Sequence, residues 1–337
     1  MTSITKIAKY LQIAPSTVSR ALKKPQLVSL QTRDRVLKAA EQMGYLKQLR
    51  DSVSVANVTE SNRLIGVLVA DLTTTFSNKI VKAIHDYLDE HDYAAIVGCH
   101  YEKASIESRL LKQWSSFNLE GLIVMPTSRF SQTLSSAYAN TPIVMVDRND
   151  TSNLRCDSVT EDNHYGIEQA IDYLLELGHE RILLISGSEN VFTFKERVEA
   201  AKSHYPKIEV VELDAHSYDE LFIGAFEATN LVTMPSNDKV TAIIGANNAI
   251  TSGVLYALNL KQVKLAKDIS IISYGDNPWC RFFPTPITAI VQPTEEMGRV
   301  AAKTLIERIN GKTDAPIHHC LKSMLLRRAS TSVATKN

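Results

Sequence analysis

The stretch T-K-I-A-K-Y-L-Q-I-A-P-S-T-V-S-R-A-L, residues 5–22, constrains this chain more than any other part of it. Ile7, Ala8 and Leu11 recur at helical spacing, as do Val18, Ala21 and Leu22, with Gln12, Ile13 and Ala14 as the connector. Pro15 suits a first helical position, where its missing N–H costs nothing. A third helix is expected from about Ser29, its N-cap, with Val36, Ala40 and Met43 facing inward. Three such helices make a helix-turn-helix unit that leaves Ser16, Thr17, Ser19 and Arg20 outward. Periodicity alone would equally describe a helical hairpin attached to an enzyme.

Charge separates these readings. Residues 1–50 hold ten Lys and Arg against Asp34 and Glu41, a formal +8, although 37 basic and 37 acidic residues leave the whole chain neutral. The remainder therefore carries −8. A basic end on an acidic body is expected where that end neutralises phosphates, with an affinity that falls steeply with salt. A merely solvated basic helix surface is the plain alternative, and the coincidence of charge with motif argues against it.

From about residue 63, apolar runs alternate with helical patterns such as Ile80-Ile84-Leu88 and Leu110-Leu111-Trp114. Strands are expected at 65–70, 94–99, 121–126, 142–147, 181–187, 208–213, 242–247 and 269–276. Near-continuous apolar strands separated by helices mean parallel sheets covered on both faces. Ligands of such sheets sit beyond the strands' carboxyl ends, which singles out Asp71, Asp147, Asn247 and Asp276.

I-A-P-S-T-V-S-R-A-L (13–22) and V-S-L-Q-T-R-D-R-V-L-K-A-A-E-Q-M-G-Y (28–45) together resemble the headpiece of the lactose/galactose-repressor (LacI/GalR) family of bacterial regulators. The resemblance continues through the body in D-N-x-x-G at 162–166, L-G-H-x-R-I at 177–182, Y-G-D-N-P-W at 274–279 and P-x-T-x-I-x-Q-P at 286–293. It implies an α/β fold: a two-lobed, periplasmic-binding-protein-like core of parallel sheets behind an N-terminal all-α headpiece. The corresponding divisions are a headpiece at 1–50, a hinge or linker at 51–62 and an effector-binding and dimerisation core at 63–337. Lobe 1 would span about 63–161 and 292–323, and lobe 2 about 162–291 and 324–331.

The resemblance also implies residue roles. Pro15, Ser16 and Arg20 would lie at base-reading positions, with Arg20 best able to read a guanine bidentately. Thr17, Ser19, Ser29 and Thr32 would sit near phosphates. Effector contacts map onto Phe76, Asp147, Arg197, Asn247 and Asp276, with Gln292 at the lobe crossover. Carboxylates that accept, Arg and Asn that donate, and an aromatic face such as Phe76 or Tyr218 suit a polyhydroxylated molecule. Arg148 and Arg281 keep a sugar acid or sugar phosphate open, although an ion pair at the lobe seam is the plainer reading of Arg148. Strand-end capping is the plainer reading of Asp147 and Asp276.

Several positions depart from the family pattern. Gln12 stands where the turn usually has Gly, and Ala14 where the second helix usually has a Ser cap. After Tyr45 the usual P-N-x-x-A-R-x-L hinge is missing: Ser54 falls at the Leu position, leaving Val53 or Val55 as a smaller minor-groove wedge. Ser77 replaces a second aromatic, and Asn247-Asn248 replaces an Asn-Asp pair.

Elsewhere the signals are weak. Cys99, Cys156, Cys280 and Cys320 are scattered without C-x-x-C pairing, as expected of a reduced cytoplasmic protein. His318-His319-Cys320 does not suggest a metal, because three consecutive ligands rarely point one way. No phosphate-cradling or nucleophile motif is present, so no cofactor and no catalytic residue are expected. No apolar run is long enough to cross a membrane and no secretory segment is read. The expectation is a sequence-specific transcription regulator, a repressor, acting as a homodimer on near-palindromic double-stranded operator DNA under a small carbohydrate-type effector. Two alternatives stand beside it: a sugar-binding module without a regulatory role, and an α/β enzyme with an accessory helical domain.

Overall fold

Local chemistry builds the N-terminal helices. Ser3 caps α1 (Ile4–Leu11), its hydroxyl accepting from the Lys6 amide at 3.3 Å. Gln12 then takes a left-handed backbone, φ 53° and ψ 43°, at a cost of about 1 kcal/mol for a residue with a side chain. This turn leads into α2 (Pro15–Lys23), whose first amides, Thr17 and Val18, reach only the Ala14 carbonyl, at 2.9 and 3.3 Å. Ser29 caps α3 (Leu30–Gln42) through the Thr32 amide at 3.3 Å. Ile7, Ala8, Val18, Ala21, Val36, Ala39 and Ala40 close into a small buried core of their own.

The computed structural model describes residues 3–23, 27–45, 63–134, 138–149, 156–232, 240–311 and 315–334. These belong to two compact units, one ending at Asn62 and the other beginning at Arg63. The second unit holds two six-stranded sheets. The first is built from β1 (Leu64–Val69), β2 (Ala94–Cys99), β3 (Gly121–Val124), β4 (Ile143–Val146), β5 (Asp157–Glu161) and β11 (His318–Leu321). Its order is β11-β5-β4-β3-β1-β2, parallel throughout. The second contains β6 (Ile182–Ser186), β7 (Glu209–Glu212), β8 (Ala242–Gly245), β9 (Ser270–Tyr274), β10 (Thr288–Val291) and β12 (Met324–Leu326). Its order is β12-β10-β9-β8-β6-β7, and only the β10–β12 pair is antiparallel.

Helices cover the sheets: α4 (Thr75–Asp89), α5 (Ala104–Trp114), α6 (Phe130–Thr133) and α12 (Thr294–Ile309) on the first lobe. On the second lie α7 (Asn163–Glu176), α8 (Phe192–His204), α9 (Tyr218–Val232), α10 (Asn248–Leu260) and α11 (Pro278–Phe282). Central strands buried on both faces need apolar side chains at nearly every position, and β3, β4, β6, β8 and β9 are buried end to end. Each fully buried Ile, Leu or Val contributes about 1.5–3 kcal/mol.

The eight expected strands all form, and four short ones with mixed composition join them: β5, β10, β11 and β12. In β5, D-S-V-T-E carries too much polarity to read as a buried strand. Asp157 is nevertheless buried there because its carboxylate accepts from Arg308 Nε at 2.9 Å and from the Ile317 amide at 2.8 Å. The chain passes between sheets after β5, after β10 and between β11 and β12, so residues near Glu161, Gln292 and Ser323 form the lobe crossovers. No helix of the described residues is long and apolar enough to cross a membrane.

Candidate functional site

In the three-helix unit, the packing of Val18 and Ala21 inward decides what α2 shows to solvent. Pro15, Ser16 and Arg20 are exposed, while Thr17 and Ser19 are half-buried. Ser29 is exposed and Thr32 half-buried, and their hydroxyls lie 2.8 Å apart within the α3 cap. Val53, Val55 and the linker that holds them lie outside the described residues.

In the second unit, a cavity of about 160 Å³ opens between the lobes at the strands' carboxyl ends. From lobe 1, Asp71 follows β1, Phe76 enters from the first turn of α4, Tyr101 and Glu102 follow β2, and Asp147 and Arg148 follow β4. From lobe 2 come Phe194 and Arg197 of α8, Tyr218 at the start of α9, Asn247 and Asn248 at the start of α10, and Tyr274 at the end of β9. Gln292 joins them from a crossover. Phe76, Asp147, Arg197, Tyr218 and Asn247, which lie as much as 171 residues apart in sequence, thus share one wall set.

Two ionic groups organise this cavity. Arg148 donates from NH1 and NH2 to the two carboxylate oxygens of Glu102, both at 2.7 Å, and from Nε to Asp147 at 3.3 Å. Tyr101, Glu102 and Asp147 all hold left-handed φ values, 51°, 57° and 70°, a costly backbone that collects where a site must be preset. Burial works to raise the Glu102 pKa, but the Arg148 charge and hydrogen bonds outweigh it and hold the carboxyl below its ordinary range. For Asp147 burial wins, pushing its pKa up against the pull of Arg148 and Arg197.

The second group lies at the crossover. Arg197 stacks on the Tyr274 ring at 3.6 Å and donates from Nε to Asn163 Oδ1 and from NH1 to the Ala246 carbonyl, both at 2.8 Å. Its NH2 is 3.6 Å from Glu161 Oε2. Glu161 also accepts from Tyr274 OH at 2.9 Å and from Gln292 Nε2 at 2.7 Å, tying both lobes to one buried carboxylate. Burial raises the pKa of Glu161 and drives that of Tyr274 well above its ordinary value.

The remaining polar residues are partly committed. Asn247 Oδ1 caps α10 by accepting from the Ile250 amide at 2.8 Å, leaving its NH2 as the group able to donate. Asn248 Oδ1 is buried without a hydrogen-bond partner. Phe76, Met125, Val191, Phe194 and Leu221 supply apolar wall. Acceptors, a few fixed donors and flat apolar faces within a cavity this small fit a compact polar molecule with C–H faces.

Asp276 does not join them. It is absent from the cavity wall, and Arg328 NH2 and Arg281 NH2 donate to its Oδ2 at 2.9 and 3.1 Å. The strand-end rule reaches its position, but the antiparallel return through β12 brings an arginine onto its carboxylate. Sequence reasoning also passed over Glu102, Tyr101 and Phe194. The same rule, applied to the end of 94–99, would have found His100-Tyr101-Glu102.

Two family models match the chain: bacterial regulatory proteins of the lacI family over residues 3–48, and a periplasmic binding protein-like domain over residues 171–331. The HTH-type transcriptional repressor PurR of Vibrio atlanticus is 25% identical over 324 residues, 93% of either chain. The HTH-type transcriptional regulator PtxS of Pseudomonas plecoglossicida is 27% identical over 339 residues, 98% of this chain and 96% of that one. Among solved structures, a LacI family transcriptional regulator from Enterococcus faecium with bound ribose aligns at TM-score 0.70 and 22% identity, over 81% of this chain and 100% of the other, a likeness of fold.

Proposed function

From the premise that this chain belongs to the lacI family of bacterial regulatory proteins and is a DNA-binding transcription regulator rather than an enzyme, we propose that it is a cytoplasmic repressor set by a carbohydrate-type effector. On this reading Arg20, Ser16 and Pro15 meet base edges, Thr17, Ser19, Ser29 and Thr32 lie near phosphates, and Val53 or Val55 wedges the minor groove. Phe76, Asp147, Arg197, Tyr218 and Asn247 hold the effector, while Asp276 is committed to Arg328 and Arg281. The protein acts as a homodimer whose two headpieces meet the halves of a near-palindromic operator.

One observation carries the reading: a +8 end with a helix-turn-helix shares the chain with a polar cavity set at lobe crossovers. Closure of the lobes on an effector would change the Glu161–Tyr274–Gln292 crossover contacts, and effector and operator would then be coupled reciprocally. The homodimer is supported by an apolar face on α9 and α10, where Ile223, Tyr256 and Leu260 are exposed and Phe222 and Phe226 pack on Tyr256 at 5.7 and 5.6 Å.

The test is selection of bound sequences from random duplex DNA at moderate salt, with the wild-type full chain and with Arg20→Ala. The wild type should enrich a near-palindrome, and the variant should lose about 1–3 kcal/mol of specific binding while nonspecific binding changes little. Equal loss on both DNAs would remove Arg20 from base reading.

A further inference from the structure

The charge inventory of the cavity suggests what kind of effector enters it. Among the described residues lining it, three carboxylates, Asp71, Glu102 and Asp147, stand against two guanidinium groups, Arg148 and Arg197. Both guanidinium charges are already balanced by carboxylates. Arg148 is spanned by both oxygens of Glu102 at 2.7 Å and touched by Asp147 at 3.3 Å. Arg197 is balanced by Glu161 at 3.6 Å and holds Asn163 and the Ala246 carbonyl. His216, the remaining basic side chain, sits exposed at the rim, where solvent screens it.

We propose that Glu102, by occupying Arg148, makes this cavity select an uncharged polyol of monosaccharide size and reject its phosphorylated or carboxylated forms. The inference rests on the carbohydrate-effector reading above and narrows it. Glu102 does this from the turn that follows β2. Two successive left-handed residues, Tyr101 and Glu102, carry the chain off β2, and the Glu102 carboxylate lands flush on the guanidinium fork. A phosphate or carboxylate entering the cavity would meet the Asp71, Glu102 and Asp147 carboxyl groups and find Arg148, the lobe-1 arginine among the described residues of this wall, already taken. Hydroxyl groups lose nothing by the same arrangement, since Asp147 accepts from them and Arg197 and Asn247 retain N–H groups to donate.

Calorimetric titration of the full-length protein with D-glucose, D-glucose 6-phosphate and D-gluconate, and with the matching pentose set, tests this directly. In at least one set the neutral sugar should bind at least tenfold more tightly than either anion. In Glu102→Gln, which keeps the side chain's shape, that ratio should fall at least tenfold as Arg148 is released. A wild-type preference for either anion, or an unchanged ratio in a folded Glu102→Gln, overturns the role of Glu102 and leaves the carbohydrate reading standing. Failure of every sugar in both sets to bind overturns that reading and this inference with it. The wild-type ratios remain decisive if the variant does not fold.

Discussion

Asp147 and Asp276 both follow a strand's carboxyl end, β4 and β9, and both stand near arginines, yet they end in different chemistry. Arg148 turns most of itself toward Glu102, so Asp147 keeps acceptor capacity on the cavity wall. Arg328, reached only through the antiparallel β12, lies against Asp276, whose side chain is 4% exposed. Asp276→Asn should therefore leave effector affinity within about twofold while destabilising the fold by roughly 3 kcal/mol, the lower end for breaking a buried ion pair. The pH dependence has a fixed sign. Burial alone would raise the Asp276 pKa, but Arg328 and Arg281 bring it below the ordinary 3.8, so the unfolded chain takes up the proton first. The stabilisation is present above pH 3.8 and is lost as pH falls through the folded value. Urea midpoints of wild type and variant should differ near neutrality and converge in acid; a constant gap would assign the effect to something other than the charge. Strand-end polarity was legible in the sequence at both aspartates. Which arginine would arrive was not, because Arg328 lies 52 residues further on and its approach depends on strand pairing.

At the scale of elements, apolar continuity marked the central strands and helical periodicity marked the three-helix unit, including the turn that Gln12 must make. Edge and crossover strands escaped for a physical reason: β5, β10, β11 and β12 are three to five residues long and satisfy polar groups through tertiary partners, as Asp157 does through Arg308. Helix contacts left a fainter trace, in glycine. A Cβ on Gly253 of α10 would lie 2.2 Å from the Phe222 carbonyl oxygen of α9, and one on Gly298 of α12 would lie 2.5 Å from the Ile80 carbonyl oxygen of α4. Each lobe thus has a helix pair whose backbones meet where no side chain intervenes. Gly253→Ala should gain about 1 kcal/mol of helix propensity yet lose more, since backbone atoms must move; a net destabilisation of about 1–3 kcal/mol is expected by chemical denaturation. A stabilised variant would show that α9 and α10 can separate without cost.

For the whole molecule the question is how a small three-helix unit becomes a specific switch. A single such module covers only roughly 600–1,000 Å² of DNA-facing surface, whereas joining two modules raises avidity about 10²–10⁴-fold without new contacts. Operator affinity should therefore depend on residues that touch neither DNA nor effector. The exposed apolar face of α9 and α10 is the place to ask. Ile223 and Tyr256 are 54% and 49% exposed, and replacing both with glutamate puts two like charges where a second copy would bury them. Sedimentation should show Ile223→Glu/Tyr256→Glu as a monomer. Its affinity for a full palindrome should fall at least about 100-fold, while its affinity for an isolated half-site and for the effector should be unchanged. A variant that stays dimeric would move the interface elsewhere on the core. A monomer with full palindrome affinity would mean that pairing of headpieces does not set operator binding, and effector control would then have to act within a single chain. Retained effector binding in the monomer matters equally, because it separates closure of the lobes from its consequence: the cavity lies within one chain, but only two chains can convert a change in lobe angle into a change in half-site spacing.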